Sequence, residues 1–411
     1  MKLVSAELIF PVTRAPLKNA AVAIDEGKIV SLGPRNEFKK KYPGAKELHH
    51  KLLIPGLINA HTHFELSSIP PIPSPKDFVS WLIKIVEFKR ELDPIKIERA
   101  AKQEISDSLR LGITSVGDIA SEPVLLEVHK QSRLFSTVFF ELIGIREENV
   151  SSKIDSAKSI LGEFNYQAGN SRLGLSPHTP YTAGKELYRL ARELAAERDL
   201  GLCTHLAESR EEVDFIMSGQ GPIAERLYPF VGWLDLKPKP NYLSPAQYLK
   251  DFIDENITLA HCTEVSDDDL EIVARARAVV HCPRSNLNLT GKLAPVPKML
   301  KSGVPVALGT DSPASAGDSN LWSEMQKVFE LREKYPGGEI KPFDIFKMAT
   351  INSARAIFRE NELGAIEQGK IANLIALNPP ELPITPDHLS TLIIDSGPES
   401  IDVVYLAGGK I

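Results

Sequence analysis

The chain has 411 residues, which suits one large barrel plus a smaller domain. Hydrophobic residues at 43% and charged residues at 25% mark an ordinary globular protein, and a net charge of −6 without a basic block argues against a nucleic-acid surface. Three cysteines are too few for a disulfide framework, an acidic residue interrupts the N-terminus at Glu7, and no apolar run reaches the ~18 residues of a membrane span, so a reduced, cytoplasmic protein is expected with neither nucleic acid nor membrane as partner.

Residues 1–54 read as β-rich, with strand-like runs at 3–10, 21–24 and 28–32 and turn punctuation at Gly27 and Gly33. The C-terminal end reads likewise at 374–377 and 402–406. Both ends together, 1–54 plus 361–411, are expected to form one discontinuous β-sandwich domain. Between them, 55–360 alternates strand-like and helical runs. Eight strands are predicted at 57–61, 113–118, 135–142, 172–176, 200–205, 257–261, 278–282 and 304–310, with helical stretches such as 185–198 and 267–276. That order gives an α/β fold, a (β/α)8 TIM barrel. The cluster Pro70-Pro71-Ile72-Pro73-Ser74-Pro75 reads as a stiff loop over the first strand end or as a plain surface connection.

Polar residues gather where these strands end, the place where a parallel barrel builds its chemistry. His61 and His63 stand two apart in extended chain, so both rings face one side and reach one ion about 2.0–2.2 Å away. His205 closes a later strand and Asp311 the last. Singly, His205 also reads as a core histidine and Asp311 as a helix N-cap before Ser312-Pro313. Together, three histidines and an aspartate suit Zn²⁺ or Fe²⁺ with an open position for water. The segment 172–176 offers no bridging lysine, which favours one metal.

Glu208 lies three residues after His205; on a helix the two would share a face, and the carboxylate would be placed to move a proton from an activated water. Its alternative is a capping-box glutamate. His261 ends the sixth strand, where it would orient water or polarise the leaving side. His178, bracketed by Pro177 and Pro180, is better placed for substrate than for metal. Cys262 and Cys282 each follow a histidine, but strand alternation turns them away, as buried structural thiols; Cys203 shares the face of His205 toward the barrel core.

These residues resemble the amidohydrolase superfamily, and within it the cytosine-deaminase and chlorohydrolase-like group. The resemblance rests on Pro55-Gly56-Leu57-Ile58-Asn59-Ala60-His61-Thr62-His63, Ser176-Pro177-His178, His205-Leu206-Ala207-Glu208, Ala260-His261-Cys262, Cys282-Pro283-Arg284-Ser285-Asn286 and Gly309-Thr310-Asp311-Ser312. It covers essentially the whole chain. It implies one divalent metal, Zn²⁺ before Fe²⁺, at His61, His63, His205 and Asp311, and hydrolytic deamination of a heterocyclic amine. Water attacks the ring carbon bearing the amino group, Glu208 protonates the adjacent ring nitrogen, His261 and Asp311 hold and deprotonate the water, and His178 faces substrate.

The segment His63-Phe64-Glu65-Leu66-Ser67 with the Trp81 helix looks like aminodeoxyfutalosine deaminases. The S-adenosylhomocysteine and methylthioadenosine deaminases share a Trp-Leu helix with a downstream ribose-binding glutamate, for which Glu87 is the candidate here, at a shorter spacing. Trp81 reads equally as an amphipathic anchor, and Glu141 as a substrate contact or a loop charge. A small-molecule substrate is therefore expected, with a homodimer through the apolar stretch 215–233 left open. A dechlorinase, a cyclic amidase and a non-catalytic metal-stabilised scaffold are the alternatives. An intact Glu208 favours deamination, because ammonia is a poor leaving group that needs a proton donor.

Overall fold

The computed structural model describes residues 1–72, 77–164 and 169–411. Pro73, Ser74 and Pro75 of the proline cluster lie outside the described residues. Fifteen strands are found among the described residues. Four precede the barrel: β1 (Lys2–Ile9), β2 (Leu17–Asp25), β3 (Lys28–Pro34) and β4 (Lys46–Pro55). Eight form it: β5 (Leu57–Thr62), β6 (Ile113–Ala120), β7 (Phe135–Leu142), β8 (Ser171–Pro177), β9 (Gly201–Leu206), β10 (Ile257–His261), β11 (Ala278–His281) and β12 (Val306–Leu308). Three follow: β13 (Leu374–Leu377), β14 (Ile401–Leu406) and β15 (Gly409–Lys410).

Strands β5 to β12 neighbour one another in sequence order, and each observed pair is parallel. Parallel pairing demands crossovers, which bury both faces of the sheet. All eight residues of β6 and all six of β5 and of β9 are accordingly buried. The barrel closes through a bridge between Thr62 and Asp311, where the Asp311 N–H donates to the His61 carbonyl at 3.0 Å. Closure therefore falls on the candidate site.

The helix Pro94–Arg110 shows how the outer layer is specified. Asp93 accepts the Lys96 N–H at 2.9 Å and Pro94 opens the first turn. Ile97, Ala101 and Ile105 then repeat every fourth residue and bury against the barrel. Each buried isoleucine contributes roughly 1.5–3 kcal/mol, so Ile97→Asp would detach this face. The expected helix 185–198 is present as Lys185–Arg198. The expected 267–276 helix is a short turn, Asp267–Asp269, followed by Leu270–Val273; Asp269 caps Ser266 there, accepting its N–H and hydroxyl.

The chain ends meet in a separate seven-stranded sheet, ordered β15-β14-β13-β4-β1-β2-β3. Its edge strand curls back, with the Ile29 N–H donating to the Lys370 carbonyl at 2.8 Å. Val4, Val22, Leu53, Leu374 and Tyr405 consequently share one interior, giving the β-sandwich form. The helix Pro386–Ser396 packs the other way: its Leu389, Ile393 and Ile394 join the barrel's own core. No strand or helix was expected there, because a single amphipathic helix between β runs carries no signal of which core it joins.

Candidate active site

Six residues converge at the C-terminal strand ends. His61 is the penultimate residue of β5, and His63 directly follows the strand. His205 is on β9, His261 ends β10, and Glu208 and Asp311 lie in the loops after β9 and β12. The ligand atoms of His61, His63 and His205 lie within 4.8 Å of one another, as do those of Glu208, His261 and Asp311. Asp311 Oδ1 joins the two groups, 3.5 Å from His63 Nε2 and 4.0 Å from His61 Nε2. All six are buried.

Hydrogen bonds fix the rings. The His178 carbonyl can only accept, so the His205 Nδ1 that lies 3.0 Å from it carries the proton. The lone pair of His205 Nε2 then points inward, 3.4 Å from His63 Nε2. Among the described residues neither ring nitrogen of His61 has a hydrogen-bond partner, although the ring is fully buried. Leaving a buried polar atom unpaired costs about 1–3 kcal/mol. A cation removes that cost: two bonds of about 2.0–2.1 Å at a tetrahedral centre hold their nitrogens about 3.4 Å apart. The donor set thus fits a divalent ion. On the carboxylate side, Asp311 Oδ2 accepts from Ser285 Oγ at 2.6 Å and Ser315 Oγ at 2.8 Å. Such outer partners hold a ligating group in orientation.

The electrostatics suit ligation. Burial, reinforced by neighbouring imidazoles, holds His61, His63 and His261 well below the usual histidine range. Burial, and then the nearby His178, lowers His205 to about 4. Neutral imidazole is the form that binds metal. Burial, and then the Asp311 charge, pushes the Glu208 carboxyl well above the usual carboxylate range. Glu208 Oε1 faces His261 Nε2 at 3.6 Å, and Asn286 Nδ2 lies 3.0 Å from the other nitrogen of that ring. When Asn286 donates there, the ring proton sits on Nε2 toward Glu208.

Glu208 does not reach the site by helical spacing. The following helix, Arg210–Ser218, begins two residues later with Ser209 as its N-cap. A left-handed turn at Ala207, φ 49°, swings Glu208 inward instead. His261 (φ 68°), Cys262 (φ 51°) and Asp311 (φ 59°) are left-handed too. Such conformations are uncommon away from glycine and gather at functional sites. The capping-box alternative for Glu208 is not seen; the cap of the following helix is Ser209, and the Glu212 carboxylate accepts the N–H groups of Ala207 and Glu208.

The remaining expected residues divide. His178 stands beside His205 with ring centroids 5.0 Å apart; Thr182 Oγ1 is 2.7 Å from its Nδ1, and Glu141 Oε1 is 3.8 Å from its Nε2. Burial, and then the Lys89 charge, lowers His178 to about 3. Trp81 is buried with Leu66, Ile69 and Phe78. Glu87 lies on the exposed face of the helix Phe78–Glu91, because Trp81, Ile85 and Lys89 take the inward positions. Lys89 reaches Glu65 Oε1 at 2.5 Å and Ser121 Oγ at 2.8 Å. Sequence reasoning missed this lysine, yet the four-residue step from Trp81 through Ile85 marks its face. In the apolar stretch 215–233, Phe215, Ile216, Ile223, Leu227 and Tyr228 bury against Val79 and Tyr181 of the same chain, while Met217 stays exposed. Cys203, Cys262 and Cys282 are buried free thiols, Cys203 packed with Ile119 and Phe139.

A cavity of about 910 Å³ opens at the opposite mouth of the barrel around Arg172, Arg198, Arg277 and Arg359. Those guanidiniums are already paired with Glu362, Glu197 and Glu360. A parallel barrel works at its C-terminal face, so that cavity is not the candidate site.

A (β/α)8 barrel with a histidine–aspartate cluster at its C-terminal face is the mark of the metal-dependent hydrolases, and the chain belongs to the amidohydrolase family, which its residues 52–411 match. It is 32% identical over 349 residues to the aminodeoxyfutalosine deaminase of Deinococcus radiodurans, covering 82% of this chain and 81% of that protein. It is 30% identical over 378 residues to a 5-methylthioadenosine/S-adenosylhomocysteine deaminase of Desulfovibrio desulfuricans, covering 89% and 80%. In fold it is similar to Helicobacter pylori aminofutalosine deaminase in complex with methylthio-coformycin, with a TM-score of 0.85, 23% identity and full coverage of both chains.

Proposed function

We propose that the protein is a metal-dependent hydrolytic deaminase that releases ammonia from an aminated purine-type nucleoside. Aminodeoxyfutalosine is the first substrate to test, ahead of S-adenosylhomocysteine, methylthioadenosine and adenosine. The observation that carries this reading is the buried Glu208 carboxyl, pushed up by burial and set 3.6 Å from His261 beside three neutral imidazoles. The two curated relatives described above are named as nucleoside deaminases, which supports the same class.

His61, His63, His205 and Asp311 are the proposed holders of one divalent ion, Zn²⁺ before Fe²⁺. When bound, the ion supplies Lewis acidity and makes water a better nucleophile near neutral pH. His261 and Asp311 hold the attacking water and take its proton. Glu208, carrying a proton because burial disfavours its charge, gives it to the ring nitrogen next to the amino-bearing carbon. The carbon gains the water oxygen, the C–N bond breaks, and ammonia leaves with the protons that Glu208 and its neighbours relay. His178, Glu141 and Trp81 are the proposed substrate side of the pocket; Glu87 is not.

The domain division 1–54 plus 361–411 against 55–360 is proposed on the break between β4, ending at Pro55, and β5, starting at Leu57. Among the described residues no helix is long and apolar enough to cross a membrane. A cytoplasmic location is proposed, and a homodimer is proposed with the apolar stretch 215–233, of which Met217 is exposed, as its candidate face.

Ammonia release by the Zn²⁺-loaded protein tests the function, over aminodeoxyfutalosine, adenosine, S-adenosylhomocysteine, methylthioadenosine, guanine and cytosine. Fast turnover of a purine nucleoside supports the reading. Silence across the panel with metal bound sinks it. Glu208→Gln should abolish turnover while metal content stays at one per chain; activity surviving that change would remove Glu208 from the proton path.

A further inference from the structure

Glu212 has no part in the chemistry above, yet it is fully buried and ends directly behind Glu208. It lies in the first turn of the helix Arg210–Ser218, and its own N–H is capped by Ser209 Oγ at 3.2 Å. Its two carboxylate oxygens each take one peptide N–H: Oε1 that of Ala207 at 2.8 Å, and Oε2 that of Glu208 at 2.9 Å. The peptide between is tied from the other side as well. Glu264 donates its N–H to the Ala207 carbonyl at 2.8 Å, and Cys262 donates to the Leu206 carbonyl at 3.0 Å.

These bonds close around Ala207, the left-handed residue that directly precedes Glu208. Ala207 sits at φ 49°, where its Cβ crowds the backbone and an ordinary residue is disfavoured. Left alone, this peptide would relax toward negative φ and carry Glu208 out of the site. Two N–H groups held by one buried carboxylate oppose that relaxation. Charge-assisted bonds to backbone amides are among the stronger hydrogen bonds, and burial strengthens them further. A helix cap alone would need only Ser209.

We infer that Glu212 is a positioning residue: its carboxylate clamps the left-handed turn at Ala207 and thereby aims the Glu208 carboxyl at His261 and the reacting ring. The inference rests on the reading of Glu208 as the proton carrier. It assigns Glu212 no contact with substrate or ion, so removing it should disturb turnover far more than binding.

The test is a set of three variants, with kcat, KM, metal content and melting temperature read for each on the substrate found above. Glu212→Ala should lower kcat by about tenfold to a hundredfold, the usual range for losing such a supporting contact, with KM and metal content little changed. The second variant, Ala207→Gly combined with Glu212→Ala, is decisive. Glycine takes positive φ without strain, so it should restore at least about a third of the lost kcat logarithm if the clamp works through Ala207. A merely structural glutamate would not be rescued in kcat by that change. Glu212→Gln keeps the volume and one acceptor oxygen, and serves if the alanine variant fails to fold; it should show a smaller kcat loss with KM unmoved. The inference is overturned if both Glu212 variants keep kcat near that of the parent, or if glycine at 207 leaves the deficit of Glu212→Ala unchanged. Glu208→Gln run in parallel separates the two claims. Full turnover by that variant defeats the proton-carrier reading itself, whereas a dead Glu208→Gln beside an unaffected Glu212→Ala defeats only the clamp.

Discussion

The carbonyl oxygen of His178 accepts two bonds from His205, one from its backbone N–H at 2.9 Å and one from its ring Nδ1–H at 3.0 Å. A main-chain atom therefore sets the ring that completes the imidazole cluster, while the His178 side chain is left to face Thr182 and Glu141. The same residue serves the proposed ion with its backbone and the proposed substrate with its ring.

That division predicts a separable phenotype. His178→Ala keeps the carbonyl, so metal content should stay near one per chain. The kcat/KM for the nucleoside should fall at least about tenfold, the loss of a positioned polar contact being worth roughly 1.4 kcal/mol or more. Metal analysis alongside steady-state kinetics checks it; loss of the ion together with activity would place the ring, not the carbonyl, in charge of His205.

Ser285 and Ser315 predict the opposite pattern. Both hydroxyls donate to Asp311 Oδ2. Removing both by alanine should weaken metal affinity by about tenfold to a hundredfold, measured by competition with a chelator. Unchanged affinity would mean that Asp311 is held by its backbone alone.

Lys89 predicts a stability effect. Its ammonium is paired with Glu65, whose side chain is only 3% exposed. Lys89→Met leaves that carboxylate buried without its countercharge, with only the Ser121 N–H and hydroxyl still donating to it, a loss on the order of 3 kcal/mol, read as a lower melting temperature. Adding Glu65→Gln should recover most of the loss. No recovery would show that the lysine acts through its packing.

A pH effect follows from the terminal sheet, away from the site. Arg35 beside Glu47 holds that carboxyl down at about 2, with Ser5 and Lys39 assisting against burial. The folded value lies below the roughly 4.3 of an unfolded glutamate. The stabilisation is therefore whole above about pH 4.3 and is lost as pH falls toward 2. Because Glu47 is partly exposed, it amounts to on the order of 1–2 kcal/mol. Glu47→Gln should flatten the stability curve across that window in acid denaturation, and an unchanged slope would count against the pair.

Much of this arrangement was legible in the chain. All eight barrel strands announce themselves as short apolar, β-branched runs, since a parallel strand is buried on both faces and tolerates little else. The convergence of His61, His63, His205, His261 and Asp311 follows from their standing at the ends of such runs. What sequence could not give is conformation that no spacing encodes. The inward turn of Glu208 depends on positive φ at Ala207, a residue with no glycine to announce it. Glu87 is a candidate only by resemblance, as the glutamate downstream of Trp81-Leu82, and that resemblance carries no helical phase, which exposes Glu87 and turns Lys89 inward. Nor does any spacing show that the Glu212 oxygens end on the N–H groups of Ala207 and Glu208.

The closure of the barrel has a consequence for the order of synthesis. The seam runs from the His61 carbonyl to the Asp311 N–H, so the last strand to be made shuts the first. A growing chain carries His61 and His63 for some 250 residues before their carboxylate neighbour leaves the ribosome. Throughout that interval it holds two histidines without the geometry that selects an ion. On the proposed ligand set, the complete site would exist only once the whole barrel does.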